Sequence, residues 1–284
     1  MCLAVVALDA HPRLALVVAA NRDEYHARPT APAGWWPEGV LGGRDLQAGG
    51  TWLGVTRAGR FAFVTNVRDP ARHDPAAPSR GALVPAVLAH RGDVAAALAD
   101  ARDAGARHNG FNLVAGDLHG AAWTSNRADG VRGLAAGVHG LSNGLLDDDW
   151  PKVRLVRDAV AAWIARGGDG FGPLFDALAD RRTAADEELP STGVALDWER
   201  RLSAVFIVGE RYGTRCSTVL AVARDGRARF VERSFAPDGS PTGEVDVRFD
   251  VDGSRDQRSA RSIATCGIPA SSNGSPTATN PKRS

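Results

Sequence analysis

Two short apolar runs open the chain, residues 3–8 and 13–20, both rich in Val, Leu and Ala and separated by Asp9-Ala-His-Pro12. Runs of this length bounded by turn residues predict a hairpin of largely buried strands. A second hairpin is predicted from 51–56 and 60–66, which flank Arg57-Ala58-Gly59. Ala and Leu recur at helical spacing over 80–90 and again over 92–104, predicting two helices. Strands are predicted at 111–117, 121–125 and 138–142. The clearest helix signal spans 151–166. Pro151 suits a first turn, where its missing N–H costs nothing. Val153, Val156, Val160 and Trp163 recur three or four residues apart, and Gly167-Gly168 ends the run. A shorter helix is predicted at 173–179. Strands at 204–208, 217–224 and 227–235 follow, the last two joined by Asp225-Gly226, a strong hairpin signal.

This order, with strands first, helices in the middle and strands last, predicts an α+β protein. Its sheets would have their buried faces covered by inserted helices, in a layered αββα arrangement. Periodicity alone does not choose between one sheet and two stacked sheets. From Gly253 onward Ser, Thr, Asn, Arg, Pro and Gly dominate, and apolar residues such as Ile263 and Ile268 stand alone. Residues 1–252 are therefore expected to form one domain. Residues 253–284 are expected to be a disordered low-complexity tail, having too little apolar surface to offset the entropy of ordering.

Charge narrows the partners. With 34 basic against 33 acidic residues the net charge is +1, which leaves no electrostatic footprint for nucleic acid or an anionic membrane. The three cysteines, Cys2, Cys216 and Cys266, are too few and of the wrong parity for a disulfide framework, and suit a reducing compartment. No metal-ligand spacing occurs. The first apolar run is too short and lacks the basic flank of a signal sequence. No segment approaches the ~18 apolar residues of a membrane span. The expectation is a cytoplasmic protein with no membrane span and a small-molecule partner.

Cys2 is the first candidate for chemistry. Removal of Met1 would bring a thiol and a free α-amine together on one residue. An α-amine has an ordinary pKa near ~8, low enough for it to act as the thiol's general base. Asn21-Arg22-Asp23-Glu24 then places four polar residues directly after a buried apolar strand. A hairpin returns that strand end to the neighbourhood of Cys2. There Asp23 could hold the amine, and Arg22 could neutralise a thiolate or a substrate carboxylate. Asn66 and Asn143 each end a predicted strand and offer neutral amide donors of the kind an oxyanion hole needs. Arg215, in Tyr212-Gly-Thr-Arg215, could form a second positive contact. Trp35, Trp36 and Trp52 could line an apolar pocket. Gly140-Leu-Ser142-Asn-Gly144 matches a nucleophile elbow, but its triad needs a later histidine, and the last of the seven is His139.

Taken together these residues resemble the transport-and-Golgi-organisation protein 2 family, also called the NRDE family after Asn21 to Glu24. The resemblance covers roughly residues 1–235. It rests on Met1-Cys2, the tetrapeptide, Arg28-Pro29-Thr30, Gly42-Gly-Arg-Asp45, Gly50-Thr-Trp-Leu-Gly54 and Thr65-Asn66. It continues through Ser79-Arg-Gly81, Gly110-Phe-Asn-Leu113, Leu141-Ser-Asn143, Trp150-Pro-Lys152 and Tyr212-Gly-Thr-Arg215. Cys216 stands where the family usually has serine. The family looks like a branch of the N-terminal-nucleophile hydrolases, near the choloylglycine hydrolase and penicillin V acylase type. That implies a four-layer αββα sandwich and hydrolysis of a linear amide bond through a Cys2 acyl-enzyme. Catalytic roles would fall to Cys2, Asp23, Asn66, Asn143 and Arg215. Substrate-binding roles would fall to Asn21, Arg22, Glu24 and Trp52. The order Asn-Arg-Asp differs from the hydrolases' arrangement at Arg22. No cofactor is required on this reading. The resemblance also carries an alternative, a non-catalytic carrier of haem, lipid or acyl-CoA, with Cys2 or a histidine such as His26 as an iron ligand.

Overall fold

The computed structural model describes residues 3–252. Cys2, Cys266 and the expected tail at 253–284 lie outside the described residues.

Two antiparallel sheets form the centre. The first takes β1 (Leu3–Leu8), β2 (Leu14–Tyr25), β10 (Gly137–Leu141), β11 (Tyr212–Ala223), β12 (Arg227–Phe235) and β13 (Pro241–Asp250) in the order β10-β1-β2-β11-β12-β13. The second runs in sequence order through β3 (Thr30–Trp35), β4 (Val40–Asp45), β5 (Leu53–Thr56), β6 (Phe61–Asn66), β7 (Phe111–Asp117), β8 (Gly120–Ser125) and β9 (Val131–Gly133). Ala4, Val6 and Val18 of the first sheet pack against Leu53, Val55, Phe61 and Phe63 of the second, which makes the inner core. Leu3, Val5, Val17 and Ala19 face the other way, onto α3 (Pro151–Ala165) and α4 (Gly172–Leu178). Ala62, Val64 and Leu113 face α1 (Leu83–Ala89) and α2 (Val94–Ala104). The layers thus run helix, sheet, sheet, helix, the αββα sandwich expected.

This layering explains the first apolar runs. A strand covered on both faces cannot alternate apolar with polar, so β1 and β2 read as continuous Val, Leu and Ala. The helix predicted at 151–166 spans Pro151–Ala165, with Val153, Val156, Val160 and Trp163 buried. The run at 92–104 begins at Val94, where Asp93 caps it by accepting from the Ala96 N–H at 2.8 Å.

Two differences matter. Residues 204–208 are not a strand. They form an irregular segment, buried from Ala204 to Ile207, whose backbone groups find other partners. The Phe206 N–H donates to the Asp180 carbonyl at 2.7 Å, and Ile207 exchanges bonds with Thr214. An apolar run signals burial, and burial here comes without a ladder. Conversely, β3 and β4 give little apolar alternation, and β13 is an unpredicted strand although Val245, Val247 and Phe249 alternate with Asp246, Arg248 and Asp250. The edge strand β13 is held to β12 by charge as well as backbone, through Arg229–Asp246 at 2.8 Å and Arg233–Glu244 at 2.7 Å. A short helix α5 (Leu196–Leu202) was also not signalled.

Candidate active site

The described part of β1 starts at Leu3, paired with Asn21 of β2, and Asn21 is paired with Ser217 of β11. On the other side Ala4 pairs with Leu141, two residues before Asn143. Strand alternation then sorts the tetrapeptide. Asn21 faces the helical layer, where its Nδ2 donates to the carbonyls of Leu178 at 2.8 Å and Val205 at 2.9 Å, and its Oδ1 accepts from Ser217 Oγ at 2.6 Å. Both amide hydrogens are therefore spent on protein. Asp23 is buried, and one carboxylate oxygen accepts from Thr214 Oγ1 at 2.7 Å.

Arg22 turns inward, between the sheets. Its guanidinium lies over the Trp52 ring, 4.4 Å from the centroid, donates to Thr30 Oγ1 at 3.1 Å, and approaches Glu24 at 4.0 Å. Glu24 also approaches Arg28 at 3.9 Å, and Arg28 pairs with Asp45 at 2.6 Å. Burial alone would raise the Asp45 carboxyl; the Arg28 bond holds it below its ordinary value. Glycine at 43 makes room for Trp52, since a Cβ there would come within 2.2 Å of the ring. The motifs Arg28-Pro29-Thr30, Gly42 to Asp45 and Gly50-Thr-Trp are thus one structure. Its parts are an ion pair, a ring and the space for that ring.

These residues wall a cavity of about 480 Å³ that includes Arg22, Glu24, Trp52 and Asn66. Asn66 ends β6, and its side-chain amide makes no hydrogen bond with other described residues. Its carbonyl accepts from Asn143 Nδ2 at 3.0 Å. Asn143 is held from behind: its Oδ1 accepts from Arg68 at 3.4 Å, and its carbonyl accepts the Arg68 N–H at 2.8 Å. Arg68 is in turn fixed by Glu199 of α5 at 2.5 Å, with both side chains largely buried. Asn112 completes the frame by donating to the Gly144 carbonyl at 2.8 Å. A second cavity of about 400 Å³ adjoins the first, sharing Asn66, His73, Arg80 and Asn109 with it and reaching Tyr212 and Leu202.

Arg215 stands apart from the asparagines. It is the extra residue of a bulge in β11, between the pairs Thr214–Asp23 and Cys216–Arg22. A bulge re-aims its side chain, and Arg215 donates to the carbonyls of Tyr25 at 3.0 Å and Arg28 at 3.1 Å. With Trp52, Cys216 and Glu232 it lines a third cavity of about 420 Å³. Trp52 separates this space from the first. Burial, and then the neighbouring Glu232, pushes the Cys216 thiol well above its ordinary value, so the departure from serine leaves an inert thiol. His26 packs near Gly213, where an added Cβ would meet its Nε2 at 3.2 Å.

The structure therefore brings Arg22, Glu24, Trp52 and Asn66 around one cavity, sets Asn143 beside Asn66 and Asp23 at the start of β1, and puts Arg215 across Trp52. Sequence reasoning missed Arg68 and Glu199. No motif joins residues so far apart in the chain.

The fold is an α+β sandwich, two antiparallel sheets between helical layers. The chain belongs to the family described as Transport and Golgi organisation 2, whose model matches residues 1–237. A mouse Transport and Golgi organization 2 homolog is 32% identical over 266 residues, 83% of this chain and 93% of the relative. A human homolog is 33% identical over 261 residues, with the same coverage of each. Among solved structures the chain is similar to a C2A mutant of conjugated bile acid hydrolase from Clostridium perfringens, at TM-score 0.46 and 10% identity over 89% of this chain and 94% of that one. It is also similar to a Caenorhabditis elegans N-acylethanolamine-hydrolyzing acid amidase ortholog, at TM-score 0.44 and 14% identity over 77% and 92%. Among the described residues no helix is long and apolar enough to cross a membrane.

Proposed function

We propose that the protein is a cysteine amidohydrolase that cleaves a linear C–N bond of a small acyl substrate, with Cys2 as nucleophile and its α-amine as base. The observation that carries this reading is the convergence at the start of β1. Arg22 and Asp23 continue β2 just beyond the Leu3–Asn21 pair, and the Asn66 amide, which bonds no other described residue, lines the same cavity as Arg22. The thiolate of Cys2 attacks the amide carbonyl carbon and forms a C–S bond, while the carbonyl oxygen takes the negative charge. Asn66 and Asn143 supply amide and backbone donors for that charge, in the role of an oxyanion hole. Collapse breaks the C–N bond, and the α-ammonium gives its proton to the departing amine. Water then adds to the thioester carbonyl, C–S breaks, and a carboxylic acid and the free thiol result. Asp23 holds the amine in place, Arg22 and Glu24 bind the substrate's polar part, and Arg215 supports the turn 25–28 that follows them.

Intact mass with sequencing of the N-terminal peptide is the first test. A chain beginning at Cys2, together with a Cys2-bound acyl mass after incubation with acyl amides and its absence in Cys2→Ala, is expected. Retention of Met1 overturns the mechanism, since Cys2 then has no α-amine. A saturable Soret shift on haem titration that survives in Cys2→Ala would favour the carrier reading instead.

A further inference from the structure

The two joined cavities differ in chemistry on either side of Asn66. The first is lined by linked charges, Arg22 with Glu24 and Arg28 with Asp45. The second reaches Val67, Pro70, Leu202 and Tyr212; of its charged groups Arg68 is paired with Glu199, Asp69 with Arg127, and Arg80, at the end shared with the first cavity, donates to the Gly110 carbonyl. Its apolar wall continues onto the surface. The Tyr212 ring packs edge-on against Tyr25 at 5.1 Å and Trp198 at 6.2 Å between centroids. Tyr25 is 57% exposed and Trp198 40%, among the few large apolar side chains left open to solvent. Trp198 and Leu202 lie four residues apart on α5, so one helix face supplies both the rim and the wall. Two exposed aromatics joined through the half-buried Tyr212 to a cavity are what an apolar ligand needs, whereas singly scattered ones carry no such meaning.

We infer that this aromatic-rimmed lobe is the acyl subsite, and that the substrate is an amide joining an apolar acyl chain to a small polar amine. The amine portion occupies the Arg22/Glu24/Arg28/Asp45 lobe, and the carbonyl lies at Asn66 between the two. This rests on the amidohydrolase reading for the bond that is cut, but the apolar lobe binds its ligand whether or not the bond is cut. The rim sets chain-length preference because it covers acyl carbons beyond the reach of the cavity. Tyr25 and Trp198 are specificity-determining contacts, with no part in the reaction itself.

The test uses full-length Cys2→Ala protein, so that binding is read without turnover, with N-octanoyl-L-serine and N-acetyl-L-serine titrated calorimetrically. The octanoyl compound is expected to bind at least about tenfold more tightly. Trp198→Ala and Tyr25→Ala should each remove most of that advantage and leave the acetyl compound unchanged. Both residues are exposed, so their variants should keep the parent melting temperature, and a variant that does not is replaced by Trp198→Gln. Equal affinity for the two chain lengths, or an advantage that survives both substitutions, overturns the inference. Octanoyl binding that depends on the rim, in a protein whose Cys2 is never acylated, would retain the lobe and reject the hydrolase.

Discussion

At Cys216 the environment, more than the residue type, decides reactivity. The thiol is buried and lies beside Glu232, whose carboxyl burial also pushes up. Both the low dielectric and the neighbouring carboxylate disfavour a thiolate. Iodoacetamide should therefore leave the Cys216 peptide unmodified in native protein and label it after denaturation, as read by peptide mass spectrometry. Glu199 makes the complementary point about charge. It is the partner of a largely buried Arg68 and also accepts from the Thr192 N–H at 3.0 Å. Removing one member of a buried pair strands the other, at a cost of about 3 kcal/mol. Glu199→Ala should lose roughly that much in urea unfolding, and through Arg68 it should also loosen Asn143.

At the scale of elements, the turn after β10 shows how a titrating pair fixes a strand end. His139 bonds Asp147 at 2.9 Å, and Asp147 also accepts the Gly140 N–H at 2.8 Å. The Asp147 bond raises the imidazole above its ordinary 6.5 against partial burial. Burial alone would raise the Asp147 carboxyl, but the His139 bond brings it below its ordinary 3.8. The raised histidine contributes stability that is complete below pH 6.5 and lost as pH rises through its folded value. The depressed aspartate contributes stability that is complete above pH 3.8 and lost as pH falls through its folded value. The pair is therefore strongest between these limits. Asp147 has a φ of +63°, a conformation asparagine tolerates, so Asp147→Asn removes charge without backbone strain. The melting temperature of the parent should exceed that of Asp147→Asn most near pH 5, and the gap should narrow toward pH 8. A gap that does not change with pH would show that the pair contributes no ionic stabilisation.

At the scale of the whole molecule, one inner core between the sheets joins all the layers. Phe63 is fully buried there among residues of both sheets. Phe63→Ala should cost about 3–5 kcal/mol, measured by denaturant unfolding, because the facing sheets are too rigid to close on the space. The site sits across this same seam. β2 and β11 of one sheet contribute Arg22, Asp23 and Arg215; Asn66 comes from β6 of the other, and Trp52 from the residue that leads into its β5.

The sequence alone determined the elements that are buried on both faces or regularly amphipathic. β1 and β2 were legible as apolar runs, α3 as a 3.6-residue stripe, and the β11–β12 turn as Asp225-Gly226, where Gly226 takes a φ of +87°. It also marked the tetrapeptide, because four polar residues interrupt a buried strand. It could not decide that the run 204–208, buried from Ala204 to Ile207, is not a strand, since an apolar run records only removal from water. The alternation of Val245, Val247 and Phe249 with charged residues was there to be read as β13, a signal that sequence reasoning missed. Only the tertiary structure decided which candidates share a cavity. Alternation within β2 sends Arg22 inward and Asn21 outward, a bulge turns Arg215 to the far side of Trp52, and Glu199 comes from a helix distant in the chain to hold Arg68 behind Asn143. Such proximities arise from sheet register and layer stacking, which are set by contacts between distant segments and leave no local pattern to read.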